Sequence, residues 1–168
     1  PEHRALPDAR KEAIMAIAIH LEGVRASISD QEFEEMYADF ENWLRQDRYR
    51  EFHEWKEEIT QRHYENIHTH QYERTQQMGE ELSTHEYEMT QMIWEGVNED
   101  PFFEGTVPAH MVERMADQEV ERYRRALQDQ IDKEISQLDE GFNEYIEQQA
   151  LDMESEIQKD LDYFRNSR

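Results

Sequence analysis

Histidine is the residue type in this chain best suited to bind a metal ion, and five of the eight histidines lie between residues 53 and 85. They are His53, His63, His68, His70 and His85. Glu65 and His68 have the Glu-x-x-His spacing that di-iron helix bundles use, but such bundles need a second pair and two further glutamates. Residues 111–168 contain no histidine, and no His-x-x-x-His spacing occurs. We therefore predict no metal site and no cofactor, and keep a metal-binding helical bundle as a third functional alternative.

Carboxylates are the other side chains that could carry chemistry, and the chain has 41 of them. With so many, the spacing of any one pair says nothing about general acid–base catalysis. The sequence has no glycine-rich phosphate loop, no nucleophile elbow and no cysteine. We therefore predict that the protein is not an enzyme, and we assign no catalytic residues.

The stretch NEDPFFEGTVPAHM, residues 98–111, resembles part of an EF-hand calcium loop. Asp100 would take the first loop position and Gly105 the sharp turn. Met111 stands where the loop needs a bidentate carboxylate, so the ligand set is incomplete. A second partial match, at residues 28–33, covers only the end of such a loop. We predict no calcium site from either stretch.

We interpret the same stretch as a bend between two helices, with the connector at residues 98–107. Pro101 ends the first helix, and Pro108 falls in the first turn of the next, where its missing N–H would be unpaired anyway. Phe102 and Phe103 supply apolar anchors at the bend. Because short connections favour antiparallel neighbours, the bend predicts a helical hairpin.

The first of three predicted helices covers residues 8–26, and its apolar residues recur at intervals of three and four. They are Ile14, Ile17, Leu21 and Val24. Its other faces are also largely apolar, and a helix that is apolar all round is buried all round. Two interpretations stay open: a central core helix, or a helix that docks on another subunit.

The second predicted helix covers residues 30–97, with Ser29 or Asp30 as its cap. Its apolar stripe is interrupted near residues 46–49, so one helix and two helices both fit. Helical spacing places Trp43 and Trp55 in the core. The stripe is sparse from residue 61 to residue 77, and we expect this part to be more exposed and less stable.

The third predicted helix covers residues 108–165 and carries the clearest stripe. From Val120 to Phe164 the apolar residues take 12 steps over 44 residues, about 3.67 residues a step. A left-handed coiled coil needs 3.5, so the stripe predicts a straight or slightly right-handed helix. Gly141 marks a candidate kink within it.

Composition limits the fold to a thin-cored helical protein. Leu, Ile, Val and Phe number 31 of 168 residues, and glycine and proline only five and four. So few turn formers disfavour all-β and α/β folds. We predict an all-α fold: an elongated antiparallel helical hairpin of long helices with a short apolar N-terminal helix, forming a single domain over residues 1–168.

Charge excludes several kinds of partner. Residues 1–28 sum to zero, so the whole net charge of −23 lies in residues 29–168. Such a surface repels nucleic acid and anionic membranes, and we predict no direct nucleic-acid binding. The longest apolar run, residues 13–19, is far shorter than a membrane span needs, so we predict no transmembrane segment.

These features predict a non-enzymatic structural or scaffold subunit of a larger multi-protein complex, whose partners are other protein subunits. We expect docking through Ile14, Ile17 and Leu21 of the first helix, and through Phe102 and Phe103. The alternative is an acidic chaperone or nucleic-acid mimic that masks a basic protein. We expect an intracellular location, soluble or peripheral. A start at Pro1 rather than Met fits a removed leader, and a mitochondrial or other organellar complex is the interpretation by analogy.

Overall fold

A computed structural model describes residues 8–24, 27–100 and 108–166, together with their side chains apart from those of residues 8, 9, 21 and 24. These residues form three α-helices and no β-strand. The helices are α1, Asp8–Val24; α2, Asp30–Glu99; and α3, Ala109–Asn166. The predicted all-α fold is confirmed, as is a helical hairpin in which α2 and α3 pack together. The predicted bend at Phe102 and Phe103 lies outside the described residues.

The start of α2 follows the predicted capping chemistry. The Ser29 Oγ accepts a hydrogen bond from the Glu32 backbone N–H at 3.1 Å, and the Ser29 carbonyl accepts one from Phe33 at 3.0 Å. Asp30 and Glu32 place negative charge in the first turn, where it interacts favourably with the positive end of the helix. This cap also accounts for the second partial EF-hand match at residues 28–33.

A single helix spans the region where one or two helices were possible, because α2 is continuous over its 70 residues. The interruption near residues 46–49 is a change of side chain and not of backbone. Leu44, Arg48 and Phe52 are all buried, four residues apart. An arginine therefore occupies the step of the stripe that lacked an apolar residue. Gly141 likewise lies within a continuous α3.

The chain divides into two compact units: unit 1, residues 1–62 and 142–168, and unit 2, residues 63–141. The prediction of a single domain stays a prediction. Within each unit α2 and α3 run antiparallel, because rising residue numbers on α2 meet falling numbers on α3. The pairs are Phe40 with Phe164 and Trp55 with Tyr145 in unit 1, and His63 with Asp139 and His85 with Tyr123 in unit 2.

Unit 1 holds the hydrophobic core, to which all three helices contribute. Ile14 comes from α1, and the remaining members come from the facing stripes of α2 and α3. These are Phe33, Phe40, Leu44, Phe52, Ile146, Met153, Ile157, Leu161 and Phe164. Burying side chains of this size removes a large apolar area from water, which is the main stabilising contribution to such a fold.

Unit 2 is a thinner pairing of α2 with α3. Among the described residues of unit 2, the buried apolar ones all lie on α3: Val112, Ala116, Leu127 and Ile131. No residue of α2 beyond Phe52 is buried. The predicted exposure of residues 61–77 is therefore confirmed, and their lower stability stays a prediction.

Candidate protein-docking surface

The inner face of α1 is held inside unit 1 by apolar contacts. Ile14 is 4% exposed and belongs to the core cluster, and Ala18 is also buried. Both lie on the side of the helix that continues through Ile17, which is half-buried. The apolar surface of Ile14 is thus used within the chain.

Arg10 adds a buried ionic anchor to the same face of α1. Its Nε and Nη2 lie 2.8 Å and 2.7 Å from the Asp47 Oδ2 of α2, and Nη2 also pairs with Glu51. Burial alone would lower the pKa of the Arg10 guanidinium, but hydrogen bonds and charge attraction from Glu51 and Asp47 outweigh it and raise that pKa. Arg10 is therefore firmly cationic, and its two partners hold α1 at one position along α2.

A second buried arginine joins α2 to α3. The Arg48 side chain is fully buried and pairs through Nη2 with Glu156. Among the described residues, the Nε and Nη1 of Arg48 have no hydrogen-bond partner, and neither has the Oδ2 of Asp160. Burial raises the pKa of the Asp160 carboxyl, and the positive charge of Arg48 opposes this rise. We call Arg10, Asp47, Arg48, Glu51, Glu156 and Asp160 the polar layer.

The outer face of α1 is apolar and open to solvent. Met15 is 53% exposed and Ile19 is 65% exposed. They are four residues apart and so lie on one face, one turn above the other. Glu12 and Glu22, both exposed, flank them. Within this chain, α1 buries one face only, whereas an all-round apolar helix was expected to be buried all round.

A groove of about 350 Å³ opens beside α1 in unit 1. Its lining residues come from all three helices: Ile17, Met36, Asp39, Phe40, Trp43 and Phe164. The Phe40 and Phe164 rings stack at 4.2 Å, and the Trp43 ring centre lies 5.9 Å from that of Phe40. Trp43 is 43% exposed, so its predicted place in the core is wrong. Phe40 and Leu44 occupy the centre of the stripe and leave Trp43 at its edge.

The five residues predicted to bind a partner are divided between the core, the groove and the part of the chain outside the described residues. Ile14 is in the core and Ile17 lines the groove. The Leu21 side chain, Phe102 and Phe103 lie outside the described residues. Partner binding by these residues stays a prediction, and Ile17 is the member that the structure places on an open surface.

Two histidines of α2 pair with carboxylates of α3 in unit 2. The His63 Nε2 lies 2.7 Å from the Asp139 Oδ1, and the His70 Nε2 lies 3.1 Å from the Glu134 Oε2. Arg74 donates to the same Glu134 oxygen at 2.9 Å, and its hydrogen bond lowers the pKa of the Glu134 carboxyl. In the part of the chain that the structure describes, no three histidine, aspartate or glutamate side chains are grouped so that they could hold a metal ion.

The polar layer and the groove were not found from the sequence. A signal existed for Arg48, since it stands four residues from both Leu44 and Phe52 and so falls on the apolar stripe. Arg10 falls four residues before Ile14 in the same way. Nothing in the pattern of Asp39 or Trp43 distinguishes them from other residues at the edge of a stripe.

Comparison of the chain with known protein families, curated proteins and solved structures finds no match. None of the helices in the described ranges contains a stretch long and apolar enough to cross a bilayer. The function is therefore argued from the surface of unit 1 itself.

Proposed function

We propose that the chain is a non-enzymatic structural subunit that docks on other protein subunits of a larger assembly through α1. The observation that supports this most directly is the open apolar face formed by Met15 and Ile19. The inner face of the same helix is already satisfied by Ile14, Ala18 and Arg10. A helix that is held on one side and apolar on the other presents a surface typical of protein–protein contact.

The distribution of charge supports the same face. Residues 1–28 are neutral, whereas residues 29–168 carry the whole net charge of −23. Charged residues are depleted at the cores of protein interfaces. Docking through the α1 region would thus not bring the net negative charge of the chain into the contact.

The test is a matched set of charge substitutions on exposed apolar residues. Met15→Asp with Ile19→Asp should release the tagged chain from its assembly, measured as a shift from fast to slow sedimentation in a gradient of native cell extract. Leu151→Asp is the control, because Leu151 is as exposed as Ile19, at 65%, but lies on α3. Circular dichroism should show unchanged helicity in all variants. Continued co-sedimentation of the folded double variant contradicts the proposal.

A second candidate function is masking of a basic protein, as an acidic chaperone or nucleic-acid mimic would do. It is favoured by the carboxylate side chains along α2 and α3, most of which are exposed. The two functions differ in their response to salt. Binding through charge weakens steeply as salt rises, whereas docking through an apolar face does not. Titration with polylysine at low and high salt, compared with retention of the native assembly under the same conditions, separates them.

A further inference from the structure

The groove beside α1 combines an aromatic anchor with an adaptable apolar wall. Five of its six lining residues are apolar. Trp43 is partly exposed although its ring lies against Phe40, and half-exposed tryptophans are enriched at binding hot spots. Met36 is unbranched and can adjust to the shape of an incoming side chain. The stacked rings of Phe40 and Phe164 form a firm floor beneath them.

The charge around the groove has one sign. Asp39 is the charged residue of its lining, and within the described residues it has no ion-pair partner. Glu32 is exposed on the same α2 face, about two turns before Asp39. Arg165, which follows Phe164 in the chain, is occupied by Glu34 and by the ring of Tyr37 at 4.0 Å. A basic group in the groove would therefore meet the Asp39 carboxylate, with which no cation of the described residues forms an ion pair.

Acidic and apolar residues alternate along this edge of α2. Glu32, Met36, Asp39 and Trp43 follow at intervals of four, three and four, so they form one row on the helix. The row covers about 16 Å at 1.5 Å per residue. That is the length of about three helical turns, which is enough for a partner helix whose apolar positions i, i+4 and i+7 cover about two turns.

We infer that this groove receives a basic amphipathic helix of the partner protein. A bulky apolar side chain of that helix packs on Trp43 and Met36, and a lysine or arginine pairs with Asp39. The inference rests on the proposed function, because it names the chemistry of the partner that the structural subunit docks on. It adds a recognition surface separate from Met15 and Ile19.

Three synthetic peptides of about 15 residues test the inference. The first has leucine at i, i+4 and i+7 with lysine on the flanking positions. The second keeps the lysines and replaces the leucines by alanine, and the third keeps the leucines and replaces the lysines by glutamate. Binding to the full chain is measured by fluorescence anisotropy at physiological ionic strength, where the Debye length is about 8 Å and diffuse charge attraction is screened. Only the first peptide should bind.

Two variants with matched controls locate the binding. Trp43→Ala and Asp39→Lys should each weaken the first peptide about tenfold, as expected for loss of a hot-spot contact. Tyr72→Ala and Glu73→Lys, which remove an exposed aromatic ring and reverse an exposed carboxylate elsewhere on α2, should leave its affinity unchanged. Asp39→Lys should also allow weak binding of the glutamate peptide.

Three results overturn the inference: no binding of the leucine–lysine peptide, equal binding of the alanine–lysine peptide, or no effect of Trp43→Ala and Asp39→Lys. The second of these would favour charge masking instead.

Failure of the inference and failure of the proposed function are distinguishable. If the peptide does not bind but Met15→Asp with Ile19→Asp releases the assembly, the groove is excluded and α1 docking stands. If the peptide binds but the double variant stays in the assembly, the groove is a binding site and docking through Met15 and Ile19 is excluded.

Discussion

Unit 1 and unit 2 are built from the same two long helices but differ in the side chains that lie between α2 and α3. In unit 1 the side chains between α2 and α3 are large and apolar, and α1 covers a third side. In unit 2 the α2 side contributes His63, His70 and Arg74, which pair with carboxylates of α3. Buried α2 residues are confined to unit 1.

The contrast shows how much burial depends on the number of helices that meet. Two packed helices bury only the residues along their line of contact, and the residues on both sides of that line remain exposed to solvent. A third helix turns one of these sides into interior, as α1 does for Phe40 and Leu44. Where only a pair is present, partly exposed ion pairs and histidines are tolerated, because their charged groups keep contact with water.

The largest expected effect comes from truncating one isoleucine in each unit. Ile157→Ala removes a fully buried side chain in unit 1 and should cost about 2–5 kcal/mol of local stability. Ile135→Ala removes a half-buried one in unit 2 and should cost about 1 kcal/mol, because less apolar area is lost. Hydrogen exchange of the amides in each unit measures both values. Equal costs would show that the two units do not differ as described.

Arg10→Met tests how much of the α1 attachment is ionic. The variant keeps an unbranched side chain but removes the cation that pairs with Glu51 and Asp47, while Asp47 keeps its pairing with Arg50. We expect the protection of α1 amides against hydrogen exchange to fall by about 2 kcal/mol, as for loss of a charged hydrogen bond. Lys11→Met, at an exposed neighbouring position, is the control and should have no effect. Unchanged α1 protection in Arg10→Met would mean that apolar contact alone holds the helix.

Asp160→Asn tests the cost of the carboxylate in the polar layer. Because burial raises its pKa in the folded state, folding favours the protonated form, so Asp160 opposes folding at neutral pH and ceases to do so as pH falls through its raised pKa. The variant should be more stable than the parent chain at pH 7. The difference should shrink as pH falls and vanish below the ordinary aspartate pKa, where the Asp160 carboxyl is protonated in both the folded and the unfolded chain. Urea unfolding across this pH range measures it, and a variant less stable at pH 7 would show that the charge of Asp160 is needed beside Arg48.

Gly79→Ala should give the smallest change, and a stabilising one. Gly79 lies inside α2 in unit 2, and an added Cβ would meet no atom within 4 Å. Alanine reduces the entropy that the unfolded chain loses, so we expect a gain of about 0.5–1 kcal/mol. The gain should be visible in the exchange of unit 2 amides. No gain in unit 2 would indicate that its amides exchange through local openings that leave the helix around Gly79 folded.

Helical periodicity predicted which side of each long helix faces its neighbour. On α3 the predicted stripe includes the buried residues Leu127, Ile131, Ile146, Met153, Ile157, Leu161 and Phe164. The stripe did not predict how deeply a residue is buried, since Leu138 belongs to it and is exposed. Depth depends on which other helix covers the stripe, and that is a property of tertiary packing.

The polar layer shows a second limit. The apolar stripe of α2 has an arginine, Arg48, where the spacing calls for an apolar residue. That interruption made a break in α2 one of the two interpretations. A buried cation in the stripe has the same effect on the pattern as a break, but only the break would leave backbone groups unpaired. The groove at Trp43 depends on where α1 ends its coverage, which no spacing within α2 encodes.

The shared oxygen of Glu134 has a consequence for the alignment of the two helices in unit 2. An apolar seam as sparse as this one would tolerate a slip of α3 past α2 by one turn at little cost. Such a slip would place Leu138 or Gln130 opposite Arg74, and neither carries a negative charge. The carboxylate that serves both His70 and Arg74 thus discriminates against misregistered pairings, in the way that a single polar position sets the register of a coiled coil.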